Sequence, residues 1–246
     1  MKFVCGPVGF SVPGAEDAIQ VVIYGKAEKG QVSVGGYARE LLEKAHLEIN
    51  PQAWDFLSIA LAVVAADFTA IRAKSADAWT RVINLEIAVQ DTVFWNSQAR
   101  ALEGALRFLT TDRWTLSFHA GGFGPPAQLQ ALHPSEDSVV LLSGGLDSLI
   151  GAIDLVEQGV KPYAVSQIVR GDGEKQATFA KSLGLNRIGL NHVTKSLANK
   201  SLRSVRAQSF SWHLDLRWRP RLIVTIGVRQ SHSTSVRTAS LPLTLP

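Results

Sequence analysis

The segment Ser143-Gly-Gly-Leu-Asp-Ser148 constrains this chain more than any other. It follows Ser138-Val-Val-Leu-Leu142, a short apolar run of the kind buried inside a parallel sheet. After it come Leu146, Leu149, Ile150, Ile153 and Val156, spaced like one face of a helix that stops at Gly159. Two consecutive glycines at a strand-to-helix junction allow torsions that other residues avoid and a close approach of backbone to ligand. Free N–H groups, the positive end of a helix and two hydroxyls then converge on one spot, a combination suited to phosphate. No Gly-Lys-[Ser/Thr] follows, so this is not a Walker loop, and the G-x-G-x-x-G spacing of dinucleotide binders is absent. The competing reading is a glycine turn that merely ends a strand.

Residues 138–200 repeat strand and helix at an even pitch. Strand 138–142, helix 146–158, strand 162–168, helix 174–183 with Gly184 as its cap, and strand 186–190 read as βαβ units around a parallel sheet. Ligands of such sheets bind at the carboxyl ends of the strands. Ser143–Ser148 and Ser166–Gly173 therefore face one crevice.

Residues 1–125 read as a smaller α+β domain with its own core. β-like segments lie near 18–24, 79–89 and 113–118, with helices over 54–73 and 92–109. Trp54, Trp79, Trp95 and Trp114 are assigned to that core. Gly121-Gly-Phe-Gly-Pro-Pro126 opens a turn-rich linker, residues 126–137, before the strand–helix domain of 138–210.

Of the 246 residues, 46% are hydrophobic and 19% charged, an ordinary globular composition. The longest apolar stretch, Phe56–Ala66, is too short to span a bilayer, and no signal peptide opens the chain, which predicts no membrane partner. A lone cysteine, Cys5, excludes an internal disulfide framework and makes the cytoplasm the default location. The net charge of +4 is carried by the tail: residues 201–246 hold seven arginines, one acid (Asp215) and no lysine. The preceding body is nearly balanced and shows no recurrent pairing of aromatic and basic residues, which argues against nucleic acid as partner. From about residue 211 the periodicity fades into an atypical basic tail, expected to be a shifted reading frame or a degenerate end.

Ser143–Ser148 matches the SGGxDS pyrophosphate-binding loop (PP-loop) of N-type ATP pyrophosphatases. Together with Tyr163-Ala-Val-Ser166 and Ala180-Lys-Ser-Leu-Gly184, it makes the chain from residue 138 onward resemble the 7-cyano-7-deazaguanine synthases of the queuosine pathway. The first half, through Trp54-Asp-Phe-Leu57, Ala65-Ala-Asp67, Trp79-Thr-Arg81 and Phe108-Leu-Thr-Thr-Asp-Arg-Trp114, is similar to a branch of synthase-like proteins in the Qat anti-phage defence system. The resemblance implies an α/β, adenine-nucleotide-hydrolase-like PP-loop domain, incomplete after residue 210.

It also implies an ATP-dependent ligase. ATP converts a carboxylate to its acyl-adenylate with release of pyrophosphate, and ammonia then gives amide and nitrile. By resemblance Ser143, Gly144, Gly145, Leu146, Asp147 and Ser148 would hold ATP and its pyrophosphate. Asp147 would orient Mg²⁺ or the loop, unless it only caps its helix. Ser166 and Gln167 would border the nucleotide, and Arg206 would meet phosphate. The acceptor would be a small-molecule 7-deazaguanine or, in a defence operon, a protein. The family's four-cysteine zinc site has no counterpart here, so ATP and Mg²⁺ are the expected cofactors and zinc is not. A truncated, inactive nucleotide-binding scaffold and other PP-loop amidating or tRNA-modifying enzymes stay open as alternatives.

Overall fold

The computed structural model describes residues 1–127, 134–168 and 171–190, plus four later strands by their backbones alone. The first sheet has the order β5-β4-β1-β2-β3-β9. Its strands are β1 (Lys2–Gly6), β2 (Ile19–Ile23), β3 (Val32–Val34), β4 (Val82–Val89), β5 (Arg113–Ala120) and β9 (Lys195–Ser196). The first five pair in parallel, and only β9 runs antiparallel, against β3. This is an α/β arrangement rather than the α+β expected for the first half. The strands that decide it, β1 and β3, are short, and neither has the length that makes a periodic pattern readable.

On β4, Ile83, Leu85, Ile87 and Val89 all point into the core, and the intervening Asn84 and Glu86 do not. Helices α1 (Gly36–Lys44), α2 (Pro51–Thr69) and α3 (Thr92–Thr110) bury their apolar residues in that same core. Helix α2 starts cleanly: Asn50 accepts from the amides of Gln52 and Ala53, and Pro51 occupies the first turn. It is buried on every side from Trp54 to Ala66, save Leu57. By length and composition this 19-residue helix could cross a membrane, contrary to the sequence expectation; its apolar window is 67% buried inside the molecule. A helix that is apolar all round needs cover all round.

The second sheet supplies part of that cover. Its order is β6-β7-β8, with β6 (Ser138–Leu141), β7 (Pro162–Gln167) and β8 (Arg187–Leu190) all parallel. Val165 and Ile188 are buried in the core cluster that contains α2, and Val139, Leu141, Tyr163 and Leu190 pack against it. The other face, Val140, Leu142 and Ala164, packs with Ala152 of α4 (Leu146–Glu157) and Ala180 of α5 (Gly173–Ser182). The alternation along each strand thus serves two cores. The linker's end is fastened to this sheet, because Asn186 donates to Glu136 at 2.7 Å and the Lys161 amide to Asp137.

Two expectations fail in instructive ways. Trp79 is 68% exposed, not buried, with the Arg72 guanidinium over its ring. On α4 the stripe Leu146, Ile150 and Ile153 faces outward, and the buried residue is Ala152. Among the described strands, β6 is also an edge of its sheet. The later strands β10 (Phe210–Ser211), β11 (Leu222–Val228) and β12 (Arg237–Leu243) form an antiparallel sheet within the stretch expected to be an irregular tail.

Buried charge ties the first half together. Asp112 is fully buried and accepts from Arg72, from Arg81 and from the Arg81 amide, while Arg81 also reaches Asp67. Burial raises the Asp67 carboxyl despite the guanidinium beside it. Asp112 is the carboxylate both guanidiniums share, and removing it leaves the buried Arg81 with Asp67 as its one remaining carboxylate among the described residues. Asp112→Ala is therefore expected to cost about 3–5 kcal/mol in urea unfolding, and a loss under 1 kcal/mol would show that the network is dispensable.

Candidate functional site

Two parallel sheets give two crevices in which a ligand could sit. In the first sheet the strand order reverses between β1 and β4, a preferred ligand position. No helix connects β1 to β2, and α3, which follows β4, has its N-terminus capped by its own Asp91, which accepts from the Phe94 amide. The chain also fills the place itself. Phe10 lies so close over Gly6 that a Cβ there would sit 2.5 Å from the ring, and Gly122 lies against the Val89 backbone. Asp55, buried on α2, takes the amides of Gln90 and Asp91 and the Trp95 indole, which fully occupies this carboxylate.

The second sheet is built differently. Its ladder carries on to the Leu142 amide, which donates to the Val165 carbonyl, and residues Ser143–Gly145 then turn into α4. Gly144 has φ +89, the left-handed region, so its place in the turn depends on the missing side chain. Gly145 is the N-cap of α4 at φ −90 and makes no side-chain cap. The amides of Leu146, Asp147 and Ser148 open the helix without intrahelical acceptors, at the positive end of its dipole. The two hydroxyls brace the turn: Ser143 Oγ and Ser148 Oγ are 3.0 Å apart, and Ser148 Oγ donates to the Gly145 carbonyl at 2.9 Å. Ser143 Oγ accepts a long 3.4 Å bond from the Gly145 amide, a contact easily exchanged for a better acceptor.

The second crossover ends at the same place. Asp172, the N-cap of α5, makes no side-chain cap bond, and its Cβ lies 3.8 Å from where a Gly144 Cβ would be. Two helix N-termini thus border one loop. Asp147 is exposed in the first turn of α4 and does not cap it. No protein-family model, no curated protein and no solved structure matches this chain. The geometry of the loop itself carries the functional reading.

The residues expected from sequence divide into three groups. Ser143, Gly144, Gly145, Leu146, Asp147 and Ser148 form the loop and first helical turn as expected. Ser166, at the end of β7, is buried and its hydroxyl has no hydrogen-bond partner, which marks it as a donor left over by the fold. Gln167 stands beside it, half-buried. Arg206 lies outside the described residues.

Sequence reasoning missed Asp172 and Gln176. Gln176 is 1% exposed and donates to the carbonyls of Ser143 at 3.1 Å and Gln167 at 2.9 Å. A polar residue at a core-facing position of α5 was the available signal. Elsewhere, a cavity of about 410 Å³ at the amino ends of β4 and β5 is lined by Lys74, Asp77, Arg81 and Arg113, far in sequence from the loop.

The two glycines make a discriminating pair. At Gly144 a side chain meets both an unfavourable φ and the Gln176 stem at 3.4 Å. Gly144→Ala should lower stability by about 1–2 kcal/mol. At Gly145 the only neighbour is Ser143 Oγ at 3.6 Å, an ordinary contact. Gly145→Ala should leave the melting temperature unchanged or slightly raised; equal losses at both sites, read by thermal unfolding, would contradict this account of the turn.

Proposed function

We propose that the Ser143–Ser148 loop binds the triphosphate of ATP and that the chain acts as an ATP-dependent ligase of the 7-cyano-7-deazaguanine synthase type. The observation that carries the reading is the junction itself: a left-handed glycine, a bare glycine N-cap and unpaired helix amides between two bracing serines. In the reaction, a carboxylate oxygen attacks the α-phosphorus, the acyl-adenylate forms, and pyrophosphate leaves with the electron pair of the broken P–O bond. Charge grows on the leaving group in that transition state, and fixed donors aimed at it lower the barrier. Gly144, Gly145, Leu146 and Asp147 supply amide donors, and Ser143 and Ser148 supply hydroxyls.

Mg²⁺ binds through one or two carboxylates together with the substrate's phosphates. An exposed Asp147 that does not cap its helix, with Asp172 bordering the same loop, fits that requirement. The ion, when bound, neutralises phosphate charge. The free Ser166 hydroxyl at the end of β7 suits a hydrogen bond to the nucleoside.

The acceptor follows from resemblance: a 7-deazaguanine carboxylate, or a protein carboxylate in an anti-phage setting. A cytoplasmic setting fits an ATP-using enzyme whose one cysteine is fully buried. The second reading, a nucleotide-binding scaffold without turnover, is favoured by the outward apolar stripe of α4. Among the described residues, the sheet that carries the loop is three strands wide, with β6 at one edge.

Calorimetry with Mg·ATP and a pyrophosphate-release assay separate the readings. Wild-type protein should bind Mg·ATP, and Gly145→Val should abolish binding by a variant that is still folded, because a Cβ at this position meets no more than an ordinary contact with Ser143 Oγ among the described residues. Release that depends on 7-carboxy-7-deazaguanine supports the ligase; binding without release supports the scaffold. Absence of binding by the folded wild type removes both.

A further inference from the structure

Gln176 has no catalytic chemistry of its own, yet it is as deeply buried as any polar side chain near the loop. We propose that Gln176 is the positioning residue that aims the loop's amides at the phosphates, an inference that rests on the nucleotide reading above. Its Nε2 sits between two carbonyls, Ser143 at 3.1 Å and Gln167 at 2.9 Å, the residues just past β6 and at the end of β7. Both N–H donors are therefore used, one for each strand.

The orientation of the amide is fixed by its other end. Arg187 Nη1 donates to Gln176 Oε1 at 3.4 Å. A flipped amide would set its oxygen against two carbonyls and its nitrogen against a guanidinium, so only one orientation satisfies all four groups.

The consequence passes through one peptide plane. In a planar trans peptide the carbonyl and the following N–H point in opposite directions. Fastening the Ser143 carbonyl inward to Gln176 turns the Gly144 N–H outward, to the side away from α5. The Gln176 stem also lies against Gly144, 3.4 Å from where a Cβ would be, so the loop rests on the side chain that orients it. Without the two donors, the Ser143 carbonyl is free to rotate, and the Gly144 N–H rotates with it. The loop then stays in place and loses its aim.

Two variants test this. Gln176→Met keeps the volume and removes both donors. Gln176→Glu keeps the shape but at neutral pH opposes two carbonyls with a carboxylate. For folded variants of either kind, affinity for Mg·ATP and for magnesium pyrophosphate should fall about tenfold, the worth of one hydrogen bond from the Gly144 amide to a charged phosphate. Affinity for AMP, which lacks the leaving pyrophosphate, should change less than about twofold.

Protonating Gln176→Glu restores one donor, so its deficit relative to wild type at the same pH should shrink as pH falls. Gln176→Met should show no such recovery. Backbone NMR relaxation without ligand supplies a readout independent of ATP: the order parameter of the Gly144 amide should fall in Gln176→Met, with Ala152 unchanged. Wild type that fails to bind Mg·ATP defeats the nucleotide reading. Wild type that binds while Gln176→Met binds equally well, or an unchanged order parameter at Gly144, overturns the role assigned to Gln176. An equal loss for AMP and pyrophosphate would reduce Gln176 to a packing residue.

Discussion

Burial of α2 is the constraint from which the rest of the architecture follows. A helix of Trp, Phe, Leu, Ile, Val and Ala from residue 54 to 66 has almost no polar face to give to water. The first sheet covers part of it with Ile83, Leu85, Ile87 and Val89, and the second sheet joins the same cluster through Val165 and Ile188. Few polar groups interrupt this core, and apart from the Trp54 indole N–H, which has no partner among the described residues, those on α2 are met locally. Ser58 donates to the Trp54 carbonyl and meets the Tyr24 hydroxyl, and Asp55 gathers the amides that start α3. Burial raises the Tyr24 hydroxyl far beyond its ordinary range, so it stays a neutral partner for Ser58.

The two mainly parallel sheets could each offer a crevice, and they differ at the carboxyl ends of their strands. The difference lies in the connection that leaves each first strand. After β1 comes a helix-free stretch whose Phe10 packs over Gly6 and tilts against His119. After β6 come a left-handed glycine and a helix N-terminus. In the loop the two serine hydroxyls satisfy each other and the Gly145 carbonyl, contacts that, under the proposed reading, a phosphate would exchange for stronger, charge-assisted ones. The turn is thus held in shape before any ligand arrives, which limits the entropy lost on binding.

The second sheet was largely legible in the sequence because its punctuation is local. Glycines at 144, 145, 159 and 184 mark the turns, and short apolar runs mark the strands, so each expected element agrees with the structure to within a residue or two. The first half was harder to read. Strands β1 and β3 are five and three residues long, and α1 begins at two glycines and buries only Ala38 and Leu42. Which way a face points was legible least. Leu146, Ile150 and Ile153 have helical spacing, but spacing cannot say whether anything lies opposite. Trp79 belongs to the same class of error, since an aromatic residue in a strand-like run can stand on a turn held by Asp77. Gln176 was hidden for the opposite reason, because its value comes from two carbonyls 33 and 9 positions away in the chain.

The double use of β6, β7 and β8 has a consequence for how the polypeptide can be divided. Val139, Leu141, Tyr163 and Leu190 lean on a hydrophobic mass built almost wholly by residues before 120. A fragment cut at the linker would carry the Ser143–Ser148 loop but present a bare greasy underside, and would be expected to clump rather than stand alone. The two halves are therefore obliged to be made, kept and lost together, whatever separate tasks each performs.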